Sequence, residues 1–110
     1  MAKFGDITFI GKSGRKYTFG AYSWDTNFKK LGGVYIVTQR IPNQAGGADH
    51  TRIYIGQTGD ISERFDNHHK AACFTRHNAN CICILLEENE ETRLSHEADL
   101  IEAYHPPCND

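Results

Sequence analysis

The sequence predicts an α+β domain, and three observations carry that reading. Short apolar runs rich in strand formers and bounded by glycines or polar turns recur along the chain. Two later stretches space their apolar side chains three and four residues apart, as one face of a helix does. The chain has 110 residues, 39% hydrophobic and 24% charged, which suits one hydrophobic core and leaves no room for a catalytic domain plus a separate recognition domain.

In chain order, Ile7 to Ile10 and Tyr17 to Ala21 read as a hairpin whose tip, Gly11 to Lys16, is basic. Tyr22 to Lys30 is turn-like, with Trp24 placed to pack the hairpin onto the rest. Gly32-Gly33 opens a strand from Val34 to Gln39. A Pro- and Gly-containing connection from Arg40 to Thr51 leads to a second strand, Arg52 to Gln57. Residues two apart on a strand share a face. Val34, Ile36, Ile53 and Ile55 should therefore line the core, with Gly33, Tyr35, Tyr54 and Gly56 on the other side.

Thr58-Gly59 ends that strand, and Asp60-Ile61-Ser62-Glu63 has the form of a capping box opening a helix from about Ile61 to Ala72. Arg64 and His68 share one stripe of it. Cys81 to Glu87 reads as a buried third strand. A last helix is expected from about Glu91 to Tyr104, ended by Pro106-Pro107, with Leu94, Ala98, Ile101 and, nearby, Leu100 and Tyr104 facing inward. Glu97 falls at the edge of that face, and Asp99 and Glu102 should face solvent.

The formal charge of −2 is unevenly spread. Residues 1–86 carry eleven Lys/Arg against six Asp/Glu, and residues 87–110 carry one against eight. A basic body with an acidic last segment can still meet a polyanion if the acids point elsewhere or hold a metal. The longest apolar run, Cys81 to Leu86, is far shorter than a membrane span. Met1 to Asp6 lacks the apolar stretch of a signal peptide, so the expected compartment is the cytoplasm, with reduced cysteines.

Two tyrosines on one sheet face, an arginine and a histidine on one helix face, a half-buried glutamate and a closing Pro-Pro-Cys-Asn need a common reason. Gly33-Val34-Tyr35, Tyr54-Ile55-Gly56, Arg64 with His68, and Glu97 through Asn109 resemble, in that order, the motifs of the GIY-YIG nuclease family. The last stretch matches the pattern Glu-x-x-Leu-Ile-x-x-Tyr-x-Pro-x-x-Asn at every named position. Valine replaces the middle isoleucine, and the stretch between the two tyrosines is longer than the family's compact loop.

The resemblance implies a small three-stranded antiparallel sheet flanked by helices over residues 32–110; residues 1–31, which it does not cover, read from their own pattern as an N-terminal β-hairpin extension packed on the core. It also implies metal-dependent hydrolysis of nucleic-acid phosphodiesters, DNA before RNA. Glu97 would hold one Mg²⁺ or Mn²⁺, and Arg64 would offset charge building on the phosphorane. Tyr35 would act as base or orient the attacking water, with His68 as its proton relay and Tyr54 hydrogen bonding to water or phosphate. Gly33 and Gly56 would let the phosphate backbone approach, and Asn109 would fix nearby backbone.

Lys12, Arg15, Lys16, Arg40 and Arg52 are the candidates for phosphate contact, which positions a substrate without reading its sequence. Specificity would then come from the long loop, the N-terminal hairpin, a protein partner or a second copy. The alternative is a non-catalytic nucleic-acid-binding or adaptor module that keeps the same fold. His68, His69, Cys73, His77, Cys81 and Cys83 also crowd together. Zinc sites use such ligands, but Cys-x-x-Cys pairs are absent and Cys81 and Cys83 alternate along the buried strand, which favours free thiols.

Overall fold

Alternating apolar side chains let five stretches pair edge to edge into one sheet. The computed structural model describes residues 3–63 and 65–109. Among these, the strands are β1 (Lys3–Ile10), β2 (Lys16–Ser23), β3 (Gly33–Pro42), β4 (Ala48–Thr58) and β5 (Cys81–Leu86). They lie in the order β1-β2-β5-β3-β4, all antiparallel, as a half-barrel.

This corrects the expected three-stranded sheet flanked by helices. The N-terminal hairpin belongs to the same sheet, because Gly20 to Ser23 of β2 pairs with Cys81 to Ile84 of β5. β3 covers only one edge of β5, and the other would otherwise present unpaired backbone groups. Burial follows the pairing. Tyr17, Phe19 and Ala21 of β2 pack with Val34, Ile36, Ile55 and Leu100 on one face.

The opposite face is also buried, by Tyr35, Val37, Ile82 and Ile84 under Phe65 and Phe74. Trp24 packs there, its ring 6.1 Å from Phe65 and 6.0 Å from Phe74. Ile53 joins this tyrosine-bearing face, not the other. Val37 pairs with Tyr54 and Thr38 with Arg52, so Ile53 is the extra residue of a bulge that breaks simple alternation. β3 and β4 also run further than expected. Between them only residues 43–47 turn, with Asn43 Oδ1 accepting the N–H groups of Ala45 and Gly47.

Among the described residues of 61–72 no single helix forms. Asp60 Oδ1 instead accepts the N–H and hydroxyl of Ser62, a local bond that competes with helix formation. The chain passes through a 3₁₀ turn at Phe65–Asn67 into a short helix, α1 (Ala71–Arg76). The long helix is α2 (Glu90–Tyr104), capped by Asn89, whose Oδ1 accepts the Thr92 N–H at 2.9 Å. Leu100 is buried as expected, but the buried face is rotated from the expected phase, with Arg93 and His96 also buried and Leu94 and Ala98 exposed.

α2 spans the open side of the half-barrel. Near its end the Tyr104 hydroxyl accepts the Ile10 N–H at 2.8 Å, and the Arg52 guanidinium lies 4.2 Å over the Tyr104 ring. Two of the cysteines are not free thiols, contrary to expectation. Cys73 and Cys108 form a disulfide across 35 residues, worth about 4 kcal/mol by the loop-entropy relation. Cys81 and Cys83 are free and buried. Among the described residues, no helix is long and apolar enough to cross a membrane.

Candidate active site

Tyr35 of β3 lies directly opposite Gly56 of β4, and its ring occupies the space a side chain there would need. A Cβ on Gly56 would fall 2.6 Å from Tyr35 Cζ and Oη and 2.8 Å from Tyr54 Cε2. A Cβ on Gly33 would fall 2.9 Å from the Leu85 carbonyl oxygen. Both glycines therefore make room for neighbours inside the fold, and Gly56 is what lets the tyrosine rings lie side by side.

His68 arrives from the turn after Phe65–Asn67, and its Nε2 is 2.8 Å from Tyr35 Oη. The Lys70 N–H donates to His68 Nδ1 at 3.0 Å. A neutral imidazole with an acceptor at Nδ1 carries its proton on Nε2. His68 therefore donates to Tyr35, which reverses the direction expected of a relay. The Tyr54 ring stands edge-on to His68 at 5.2 Å and 6.0 Å from Tyr35.

Burial pushes the Tyr35 phenol far above its usual value, and the charges of Tyr54 and Glu97 push it further. Tyr54 is raised by burial and then by Glu97. Burial lowers His68, with His69 and Lys70 adding to the effect. Near neutral pH the site therefore presents two neutral phenols and a neutral imidazole beside the Glu97 carboxyl. Arg64, the expected counter-charge, lies outside the described residues.

Glu97 is half-buried on α2. Burial raises its carboxyl above the usual range, partly offset by the backbone N–H of Gln57. The Gln57 side-chain oxygen accepts from Arg93 Nε at 2.9 Å, and Arg93 Nη1 donates to the carbonyls of Glu87 and Glu88. Sequence reasoning missed both Gln57 and Arg93. The available signal was Arg93 standing four residues before Glu97, one helical turn away on the same face.

Asn109 grips β4 from outside. Its Oδ1 accepts the Ile55 N–H and its Nδ2 donates to the Ile55 carbonyl, both at 2.8 Å, so one side chain acts as a short added strand beside Tyr54. The expected phosphate-binding residues do not gather at this site. Lys12, Arg15 and Lys16 sit at or beside the turn between β1 and β2, and Arg40 lies five residues beyond Tyr35 along β3, roughly 16 Å away. Arg15, Arg40 and Arg52 each lie over an aromatic ring, of Tyr17, Phe4 and Tyr104.

Beside His68 opens a cleft of about 460 Å³, lined by Thr58, Asp60, Glu63, Phe65, Asn67, His68 and His69. Comparison of the chain with family models, curated proteins and solved structures gives no match. Function must therefore be argued from the site itself. Glu97 offers the site a single half-buried carboxyl, raised by burial. Among the described residues Glu97 belongs to no group of three donors placed to hold a metal; the two such groups are made of cysteine and histidine.

Proposed function

We propose that this chain is a divalent-metal-dependent endonuclease that hydrolyses DNA phosphodiesters at the cluster of Tyr35, Tyr54, His68 and Glu97. One observation carries the reading. The Tyr35–His68 hydrogen bond of 2.8 Å sits where Tyr54 and the Glu97 carboxylate also act on Tyr35, so four residues from four segments share one electrostatic environment. The order of motifs resembling GIY-YIG nucleases supplies the reaction class.

Glu97 would hold Mg²⁺ or Mn²⁺, which when bound polarises the phosphate and stabilises the leaving 3′ oxygen. His68 donates to Tyr35 Oη and Tyr35 in turn donates to the Tyr54 hydroxyl, so the two phenols form a hydrogen-bonded pair that would orient a water. Held neutral by burial, Tyr35 positions that water and does not deprotonate it in the unliganded site. Tyr54, less buried, is placed to hydrogen bond to a phosphate oxygen. Arg64 is assigned only by the sequence pattern, as the group that meets charge on the phosphorane.

Incubation with plasmid and single-stranded DNA plus Mg²⁺ or Mn²⁺ tests the reading. Wild-type protein should nick and Glu97→Gln should not. Equal nicking by both would overturn the mechanism, and binding without nicking on any substrate would support the non-catalytic nucleic-acid-binding module.

A further inference from the structure

A second chemical cluster lies on the sheet face opposite Tyr35 and has no part in the reaction above. Strand alternation sets Cys81 and Cys83 side by side on β5, both fully buried. Thr38 of β3 pairs with Cys81, and His50 reaches across from β4 with its Nδ1 2.9 Å from Thr38 Oγ1. One donor atom from each of His50, Cys81 and Cys83 lies within 4.8 Å of the other two. His50 is half-buried and lines a surface cavity of about 300 Å³ with Phe4, Ala21 and Arg40.

We infer that His50, Cys81 and Cys83 bind one soft d¹⁰ cation, zinc(II) or copper(I). Two thiolate sulfurs and an imidazole are the donor set such ions select. Ligand distances of about 2.3 Å for sulfur and 2.0–2.1 Å for nitrogen put tetrahedral donors roughly 3.6 Å apart, so side-chain rotation of about an ångström closes the site. The Thr38 hydroxyl fixes the imidazole, as polar neighbours do for metal-binding histidines. The cavity beside His50 gives the ion a way in. Buried thiols alone would be ordinary core residues. A polar, oriented imidazole at their open end is not needed to fill a core.

The other such group, Cys73, His77 and Cys108, does not compete while its two sulfurs are joined in the disulfide. The test therefore uses oxidised protein, in which Cys81 and Cys83 are the free thiols. Titration with cobalt(II) as the spectroscopic probe for zinc should give sulfur-to-cobalt charge-transfer bands saturating at one ion per chain. Parallel titrations with zinc(II) and with chelator-buffered copper(I) show which cation binds more tightly.

Cys81→Ser and Cys83→Ser should abolish binding. His50→Gln, on a half-exposed residue and checked for fold by circular dichroism, should weaken it by about 100-fold. This last variant decides the matter if the cysteine variants do not fold. No uptake of any of these ions by folded wild-type protein would overturn the inference. So would uptake undiminished in His50→Gln, which would place the metal elsewhere.

Discussion

Glu97 and Asp99 stand two residues apart on α2, yet their surroundings push them in opposite directions. Asp99 accepts the Ser13 hydroxyl and N–H and the Tyr17 hydroxyl, at 2.7 to 2.9 Å, and these bonds hold its carboxyl below the usual range. Among the described residues Glu97 receives one backbone N–H, from Gln57, and it is raised by burial. A carboxylate whose lone pairs are filled by its own protein fastens one part of the chain to another. One left half-buried and under-supplied retains the capacity to bind something else. Asp99 fastens the β1–β2 turn to the helix, and Glu97 faces the tyrosines.

The sharpest way to break this contrast is to neutralise each acid in turn. Glu97→Gln should lower metal-dependent nicking by on the order of 10³-fold, equivalent to about 4 kcal/mol of transition-state stabilisation. Asp99→Asn should leave the rate per folded molecule unchanged while lowering the thermal midpoint. Single-turnover nicking and thermal melts separate the two effects. If Asp99→Asn abolishes cleavage in folded protein, the division of labour between the two acids is wrong.

Tyr35→Phe should cost less, on the order of 10²-fold, because the ring still fills the space over Gly56 and only the hydroxyl that orients water is lost. Smaller again is the effect of Arg93→Met. It leaves Gln57, Glu87 and Glu88 without their buried donor, destabilises the fold by about 1–3 kcal/mol, and lets Gln57 and hence Glu97 drift. A roughly tenfold loss of nicking is expected, with stability and rate measured on the same preparation. Arg93→Met at full activity would mean that Glu97 needs no positioning through Gln57.

Only part of this arrangement was legible in the sequence, and what was not has physical causes. Tyr35, Tyr54 and the β3–β4 pairing followed from alternation, and α2 followed from its spacing and its terminating prolines. The helix expected over 61–72 failed because Asp60 and His68 both bond to nearby backbone, an alternative that periodicity does not register. The phase of α2 was misread because Arg93 is buried by hydrogen bonding and not by hydrophobicity. β2 joins β5 across about sixty intervening residues, and Cys73 finds Cys108. Such long-range pairings leave no local trace. His50 escaped the sequence-level zinc argument for the same reason, since the sheet alone brings it to Cys81 and Cys83.

The smallest effect tests the contrast most directly, because it predicts two signs in one experiment. Glu97 has a folded value above its reference of 4.5, so the folded state binds the extra proton in that window. Its contribution to stability is fully present below 4.5 and is lost as pH rises through the raised folded value. Glu97→Gln should therefore melt higher than wild type at neutral pH, and the margin should close as pH falls to 4.5. Asp99 has a folded value below its reference of 3.8, so its contribution is present above 3.8 and is lost as pH falls through the lowered folded value. Asp99→Asn should melt lower than wild type at neutral pH, with its deficit disappearing only in more acid solution. Melting curves of the three proteins from neutral pH to about pH 3 would show two margins of opposite sign closing in separate windows. Margins of the same sign would mean that burial does not set Glu97 apart from its neighbour.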